Sequence, residues 1–291
     1  MQWLGGQTAR DNSDLVALAN AQLEERIALR EKRQRLEEGD GHEDLMHYLL
    51  TSVDPKTGIG PTRAELEGDS LSLLGAGADT VAASLSASLF YLARHPVSLR
   101  TVTSEIRSAF RNVEEIRSGP RLTSCVYLDA CIEETLRLAP VVPAQLPREV
   151  MKGGIMIDGH AVPEGTVVGV SAYVVHHDKG AFPEPWSFRP ERWIATGGVS
   201  DEDVRLAREA MCPFSLGKRG CIGKRLAWTE MRIAIACLLW SYDVEEANGA
   251  GLNGGGGPDL EEGRRRRDEF QLFDCFGSDR EGPVVRFRKR S

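Results

Sequence analysis

The sequence predicts a mainly α-helical protein with a small β-sheet region. Apolar residues recur at helical spacing through much of the 291-residue chain, which is the pattern of helices that bury one face. Between residues 148 and 175, β-branched residues instead cluster between Asp-Gly and Pro-Glu-Gly turns, which indicates short strands. With 41% hydrophobic and 27% charged residues, the composition is that of a globular protein able to bury a substantial core.

The helices are predicted from apolar spacing and from their end signals. Helical patterns lie at residues 14–38, 42–50, 62–95, 99–110, 125–138 and 223–242. The longest, a central helix at about 62–95, begins at a capping box in which Thr62 is the N-cap and Glu65 reaches back to it. It ends before Pro96, which cannot continue a helix.

The remaining segments are predicted to be strands, loops and a linker. A proline-rich loop occupies residues 182–193, and residues 270–290 have the pattern of a terminal β-hairpin. Residues 247–268 are rich in glycine and then in arginine, which predicts a flexible linker. His176 and His177 follow the β-branched segment, so we expect both on a strand, as structural residues whose side chains point apart.

Charge and hydropathy limit the class of function. The net charge of −7 gives no support for a general role in binding nucleic acid. The apolar segment 71–93 is long enough to span a bilayer, but Asp79 lies near its middle. A carboxylate there costs about 3 kcal/mol on insertion scales, so a buried helix is preferred over a transmembrane one. The N-terminal residues lack the features of a signal peptide.

The six cysteines are spread along the chain without a C-x-x-C pair, which favours a reducing compartment and no disulfide partner. Those expected to be small core or surface residues are Cys125, Cys131, Cys212, Cys237 and Cys275. Cys221 differs, because it lies in the loop FSLGKRGCIG at residues 214–223, directly before a helix. Glycines let backbone amides face its sulfur, and neighbouring basic residues and the helix N-terminus stabilise a thiolate.

A lone thiolate of this kind suits a metal that needs a single protein ligand. Structural zinc requires four ligands, and Cys221 has no Cys or His partners nearby in the sequence. Iron held by a porphyrin needs only one protein ligand below its plane. A buried cysteine in a turn is the alternative for Cys221 taken alone.

The loop's spacing, F-x-x-G-x-R-x-C-x-G, is formed by Phe214, Gly217, Arg219, Cys221 and Gly223. It resembles the heme-binding signature of the cytochrome P-450 monooxygenase family. The resemblance implies that Cys221 is the metal ligand, a thiolate on the iron of heme b, and that the other four residues contribute to cofactor binding. It also implies the C-terminal half of the cytochrome P-450 fold.

The segment AGADTV, at residues 76–81, is similar to the family motif A/G-G-x-D/E-T-T/S on the central helix. The resemblance implies that Asp79 and Thr80 are catalytic residues that deliver protons. Val81 departs from the family, in which this position usually carries a hydroxyl group. Taken alone, the segment also fits a close helix crossing with Thr80 bonded back to the preceding turn.

Glu134-x-x-Arg137 resembles the family's E-x-x-R motif. At i, i+3 spacing these side chains meet on a helix, and in isolation they would form a surface ion pair of little energetic worth. The resemblance implies instead a buried structural cluster completed by Arg192 from the segment RPERW. Arg148, in LPREV, corresponds to an arginine that contacts a heme propionate, and an ordinary strand arginine is the alternative.

The activity implied by the resemblance is insertion of one oxygen atom of O2 into a small apolar organic substrate. Electrons would come from NADPH through an NADPH-cytochrome reductase, for which Lys218, Lys224 and Arg225 offer a basic docking patch. The sequence resembles filamentous-fungal members, which serve secondary metabolism or oxidise aromatic compounds. An isomerase or dehydratase reaction at the heme is an alternative, against which Thr80 favours oxygen chemistry.

The resemblance assigns residues 1–291 to one truncated cytochrome P-450 domain. In the family the central helix begins past the midpoint of the chain, whereas here it begins near residue 62. We therefore expect the N-terminal half to be missing, and the alternative to a monooxygenase is a non-catalytic remnant that binds heme poorly. Full-length members lie on the cytosolic face of the endoplasmic reticulum membrane; without an anchor, this chain is expected to be cytoplasmic.

Overall fold

The computed structural model describes residues 7–35, 44–247, 253–275 and 277–290. Within these ranges the helices are α1 (Gln7–Arg35), α2 (Leu45–Thr51), α3 (Arg63–Arg94), α4 (Pro96–Ala109), α5 (Pro120–Thr123), α6 (Val126–Leu138), α7 (Ala172–His176), α8 (Asp201–Glu209) and α9 (Lys224–Ser241). Each predicted helical segment coincides with one of them, although residues 36–38 and 42–43 lie outside the described part. Three short helices, α5, α7 and α8, were not predicted.

The strands are short and form two-stranded antiparallel sheets. They are β1 (Arg148–Glu149), β2 (Ile155–Ile157), β3 (His160–Val162), β4 (Val167–Val168), β5 (Tyr242–Glu246), β6 (Phe273–Cys275), β7 (Gly277–Asp279) and β8 (Val285–Lys289). The pairs are β1 with β4, β2 with β3, β5 with β8, and β6 with β7. The prediction of a mainly helical chain with a small β region is therefore confirmed.

The chain divides into two compact units, Met1–Asp79 and Thr80–Ser291, with the boundary inside α3. In the first unit, the Arg30 side chain donates a hydrogen bond of 2.6 Å from α1 to the carbonyl of Leu50 in α2. The predicted capping box is present: the Thr62 backbone N–H donates to the Glu65 carboxylate at 2.7 Å, and the Glu65 N–H donates to Thr62 Oγ1 at 3.3 Å.

The core of the second unit lies between the last four turns of α3 and helices α4, α6 and α9. Phe90, Tyr91 and Leu92 are at most 1% exposed, and the Tyr91 ring stacks on Phe188 with a centroid separation of 5.2 Å. Among the described helices, only α3 is long and apolar enough by composition to cross a membrane. Since its C-terminal part packs in this core, that part behaves as a core helix.

Residues 253–268 differ from the flexible linker predicted for residues 247–268. Gly256 N–H donates to the carbonyl of Arg266 at 2.8 Å, and Gly257 N–H donates to the carbonyl of Arg264 at 3.1 Å. The glycine-rich half of the segment thus forms backbone hydrogen bonds with the arginine-rich half, which the composition did not reveal. Residues 248–252 of the predicted linker lie outside the described residues.

Two other expectations are wrong in part. His176 and His177 lie at the end of helix α7 rather than on a strand, because Ser171 caps this helix by accepting a hydrogen bond from the Val174 N–H. The C-terminal segment forms not one hairpin but two ladders: β6 pairs with the adjacent β7, whereas β8 pairs with the distant β5.

Candidate heme-binding site

The cysteine loop, residues 212–223, is folded by its own backbone hydrogen bonds. Ser215 N–H donates to the Cys212 carbonyl at 3.0 Å, and Cys221 N–H donates to the Phe214 carbonyl at 2.8 Å. Ser215 and Gly217 have φ angles of 57° and 69°, the left-handed region that favours glycine. The loop therefore makes two tight turns before it reaches Cys221.

The Cys221 side chain is exposed at the end of this loop. A Cβ added at Gly223 would lie 3.7 Å from Cys221 Sγ, so a larger residue there would begin to cover the sulfur. Leu216 and Ile222 flank the loop's tip with exposures of 69% and 92%. An exposed thiol beside uncovered apolar side chains fits a flat apolar group that is bound through one sulfur atom.

The residues available as metal ligands favour a flat group bound through one sulfur atom over a metal ion that is held by protein side chains alone. Within the described ranges, no cluster of three or more His, Cys, Asp or Glu side chains could hold a metal ion. Burial raises the pKa of the Cys125 thiol to about 11 and that of Cys131 well above its usual value. These buried cysteines are therefore poorly suited to bind metal as thiolates.

Four basic residues lie within four positions of Cys221 in the sequence. Lys218, Arg219, Lys224 and Arg225 are all exposed, and helix α9 begins at Lys224, so its positive end lies next to the loop. The Lys224 ammonium also lies 5.8 Å from the centre of the Phe214 ring. The predicted loop residues are thus brought together in one positively charged turn.

Glu134, Arg137 and Arg192 form a buried cluster. Glu134 and Arg137 are 0% exposed and Arg192 is 7% exposed. Arg137 Nε and Nη2 donate to the two Glu134 carboxylate oxygens at 2.9 and 2.8 Å, and Arg192 Nε donates to Glu134 Oε1 at 3.0 Å. Burial lowers the pKa of Arg192, with Glu134 opposing that effect.

The cluster includes groups that the sequence did not single out. Trp193 Nε1 donates to Glu134 Oε2 at 2.9 Å, and the Arg189 backbone N–H donates to Glu134 Oε1 at 3.0 Å. His176 is 0% exposed and accepts a hydrogen bond of 2.9 Å from the Cys212 N–H at the start of the cysteine loop. The sequence signals were the position of Trp193 within RPERW and the expectation that His176 is a structural residue, but neither indicated these contacts.

The other predicted site residues lie on separate elements. Arg148 is exposed on β1, where its Nη1 donates to the carbonyl of Pro147 at 2.8 Å. Thr80 is the first residue of the second unit, and its carbonyl accepts a hydrogen bond of 2.9 Å from Ser84 Oγ. Asp79 is exposed and is the last residue of the first unit.

The sequence of the chain matches a known protein family. The family model described as Cytochrome P450 matches residues 1–252, so the chain belongs to the cytochrome P450 family. Members of this family use a heme whose iron is bound by a cysteine thiolate, and they receive electrons from NADPH through a reductase partner.

Curated relatives are fungal monooxygenases. The chain is 39% identical over 249 residues to a cytochrome P450 monooxygenase of Gibberella zeae, covering 85% of this chain and 56% of that protein. It is 38% identical over 292 residues to the cytochrome P450 monooxygenase fscF of Fusarium equiseti, covering 98% of this chain and 53% of that protein. The chain thus spans about half the length of these relatives.

Solved structures agree on the fold. A crystal structure of a cytochrome P450 (CYP102L1) matches with a TM-score of 0.73 at 24% identity, covering 100% of this chain and 59% of that chain. The cytochrome P450DA heme domain matches with a TM-score of 0.69 at 21% identity, covering 98% of this chain and 54% of that chain. The expectation of a partial cytochrome P450 fold is confirmed.

Proposed function

We propose that this chain contributes the thiolate ligand and the structural cluster behind it to a heme-thiolate monooxygenase. The observation that carries the proposal is the exposed thiol of Cys221 at the end of a tightly turned, positively charged loop. Family membership supports the reaction class, because the fungal relatives are named monooxygenases. When bound, heme b supplies the activation of O2 for insertion of one oxygen atom into a C–H bond.

The cysteine loop residues would hold the cofactor. Cys221 would bind the iron as a thiolate, the form in which cysteine is a metal ligand. Gly217 and Gly223 keep the turn compact and the sulfur uncovered, while Phe214 packs against the neighbouring core. Arg219 and Arg148 are proposed to pair with the heme propionates, since both guanidinium groups are exposed and available to carboxylates.

Proton delivery is assigned to Asp79 and Thr80. A carboxyl group and a hydroxyl group in sequence on one helix can pass a proton from solvent toward a reacting oxygen. This assignment is supported by the resemblance of the segment AGADTV to the family motif. Glu134, Arg137 and Arg192 have a structural role in the proposal, because the Glu134 carboxylate is already hydrogen-bonded to both buried guanidinium groups.

The partners are proposed from the same surface and family. An NADPH-cytochrome reductase would dock on the basic patch formed by Lys218, Lys224 and Arg225. The substrate would be a small apolar organic molecule, as in fungal secondary metabolism or aromatic oxidation. The enzyme would act at the cytosolic face of the endoplasmic reticulum membrane, as full-length members of the family do.

The heme ligand is tested by protection of one thiol. The 291-residue chain is titrated with ferric protoporphyrin IX and treated with iodoacetamide, and each cysteine peptide is quantified by mass spectrometry. We expect heme to slow alkylation of Cys221 at least tenfold and to leave Cys237, half-buried on α9, unchanged. The reduced, carbon-monoxide-treated chain should show the red-shifted band of a thiolate ligand, which Cys221→Ser abolishes and Cys237→Ser retains.

Equal alkylation of Cys221 with and without heme would contradict the proposal. It would favour the competing hypothesis of a non-catalytic chain that binds heme poorly. Loss of the red-shifted band in the Cys237→Ser variant as well would show that the spectrum reports folding rather than ligation.

A further inference from the structure

A buried histidine lies between the Glu134–Arg137–Arg192 cluster and the cysteine loop. His176 Nε2 accepts a hydrogen bond of 2.9 Å from the backbone N–H of Cys212. Its Nδ1 lies 3.2 Å from the backbone carbonyl of Arg137, which can only accept. These partners assign the proton to Nδ1 and leave Nε2 as the acceptor.

The histidine is itself held by the cluster from two directions. Besides the contact of its ring with the Arg137 carbonyl, its own carbonyl accepts a hydrogen bond of 2.8 Å from Arg137 Nη1. Arg137 is fixed in turn by the two-point contact with Glu134. The ring is 0% exposed, so water does not compete for these hydrogen bonds.

Cys212 is the residue from which the cysteine loop starts to turn. Its carbonyl accepts the Ser215 N–H at 3.0 Å, and the preceding residue of that turn, Phe214, accepts the Cys221 N–H at 2.8 Å. A hydrogen-bonded path therefore runs from the Arg137 backbone through the His176 ring and Cys212 to the turn that holds Cys221. A shift of Cys212 would move both ends of this turn.

We propose that His176 is a positioning residue, whose Nε2 fixes the start of the cysteine loop and thereby the direction in which Cys221 presents its sulfur. The inference rests on the proposed function in one respect only, that Cys221 is the heme ligand. The hydrogen bond to Cys212 is a property of the chain itself and is testable without heme.

His177 provides a matched control. It is also a buried histidine, 9% exposed, and its ring stacks on Trp186 with a centroid separation of 4.2 Å. Its Nδ1 contacts the carbonyl of Tyr173 at 2.8 Å, within the same helix. Among the described residues, nothing hydrogen-bonds to its Nε2. It therefore shares the burial and chemistry of His176 but not the contact with the cysteine loop.

The test compares side chains that differ in whether they place a hydrogen-bond acceptor at the position of His176 Nε2. His176→Gln keeps an acceptor oxygen at the position of Nε2, whereas His176→Met fills similar space without one, and His176→Asn is polar but one bond too short. Amide hydrogen exchange at Cys212 is measured by NMR in the heme-free chain. We expect exchange at Cys212 to accelerate about tenfold in the Met and Asn variants, with Gln near the original rate and His177→Met unchanged.

A second readout connects the loop to the thiol. With heme bound, the Met and Asn variants should convert a smaller fraction of the reduced carbon-monoxide complex to the red-shifted thiolate form, and Gln should restore it. If Gln fails as Met does, or if exchange at Cys212 is unchanged in both Met and Asn, the positioning role is overturned. Should the Met variant fail to fold, the Asn and Gln pair still decides the question.

The two proposals fail separately. If Cys221→Ser binds heme with the same spectrum as the original chain, the ligand assignment fails, although the exchange pattern at Cys212 can still hold. If Cys221→Ser loses the thiolate spectrum but His176→Met changes neither exchange nor spectrum, the ligand assignment stands and the role of His176 is disproved.

Discussion

At the residue scale, the buried carboxylate of Glu134 accepts five hydrogen bonds. Its two oxygens accept from Arg137, Arg192, the indole of Trp193 and the backbone N–H of Arg189, at 2.8 to 3.0 Å. A charge that is 0% exposed is tolerated only when every lone pair is satisfied in this way. Removing the charge should therefore cost far more than an ordinary ion pair.

We expect Glu134→Gln to lower the free energy of unfolding by about 3–5 kcal/mol, because two guanidinium groups lose their buried counter-charge. Urea unfolding followed by circular dichroism measures the loss. Glu245→Gln is the control, since Glu245 pairs with Arg288 in a surface ion pair whose side chains are 49% and 67% exposed, and it should cost less than about 1 kcal/mol. Similar losses in the two variants would show that the cluster is not energetically special.

The buried histidines predict a dependence of stability on pH. Burial, together with the smaller effects of the neighbouring His177 and Arg137 charges, lowers the pKa of His176 to about 4, although the hydrogen bond to the Arg137 backbone opposes this shift. Since the unfolded histidine has a pKa of about 6.5, the unfolded state binds more protons between these values, and stability falls as the pH falls through this range. At pH 5 the loss from His176 alone is about 2 kcal/mol relative to pH 7.5.

Urea midpoints measured from pH 7.5 to pH 4.5 test this dependence. His176→Gln keeps an acceptor but cannot bind a proton there, so the variant should lose stability less steeply below pH 6.5. His160→Gln, at an exposed position on β3, should follow the original curve. Parallel curves for His176→Gln and the original chain would exclude His176 as a contributor.

At the element scale, the long helices could be predicted and the short irregular elements could not. Helix α3 carries its end signals in the sequence, Thr62 and Glu65 at its start and Pro96 after its end. Helix α7 does not, because its valines favour a strand while the Ser171 cap and tertiary contacts decide for a helix. The pairing of β8 with β5 could not be predicted from the sequence either, since those strands are about 40 residues apart.

The glycine-rich element shows why composition misled. A Cβ added at Gly256 would lie 2.3 Å from the carbonyl oxygen of Arg264 and 2.4 Å from that of Arg266. Glycine is required there because two backbone segments approach closely, not because the segment needs freedom to move. Glycine can therefore indicate either a flexible segment or a close approach of two backbone segments. Only the tertiary contacts show which of the two applies.

Gly256→Ala should therefore destabilise this element by about 1–3 kcal/mol, since the backbone must move to admit a methyl group. Trypsin cleavage within Arg264–Arg267 under native conditions measures the opening, and we expect faster cleavage in the variant. Gly263→Ala is the control, because nothing lies within 4 Å of a Cβ added there. Equal cleavage rates for the two variants would indicate that residues 253–268 are already open in solution.

At the scale of the whole molecule, the candidate site is local in the sequence, whereas the contacts that support it join distant residues. The spacing of four loop residues around Cys221 was enough to propose the candidate ligand, because residues of one turn are close together in the sequence. The contacts of Glu134 with Arg192 and of His176 with Cys212 join residues 58 and 36 positions apart. No local pattern encodes such distances, so the resemblance supplied the first contact and only the structure revealed the second.

Exposed basic residues lie near Cys221 in a chain that is acidic overall. The chain carries a net charge of −7, yet Lys218, Lys224 and Arg225 are exposed around the proposed ligand. Such local charge accelerates encounter with an acidic partner and makes it sensitive to salt. We expect the double variant Lys224→Glu, Arg225→Glu to bind an NADPH-cytochrome P450 reductase about tenfold more weakly at low ionic strength, with the difference vanishing near 1 M salt.

Binding to the immobilised reductase is measured across a salt series with the heme-loaded chain. Lys289→Glu, on exposed strand β8, changes the net charge without altering the patch and should retain at least half of the original affinity. If both variants weaken binding in proportion to their net charge, the attraction is a property of the whole molecule and the basic patch is not a docking surface. A selective loss in the double variant that disappears in high salt assigns the contact to the face that carries Cys221.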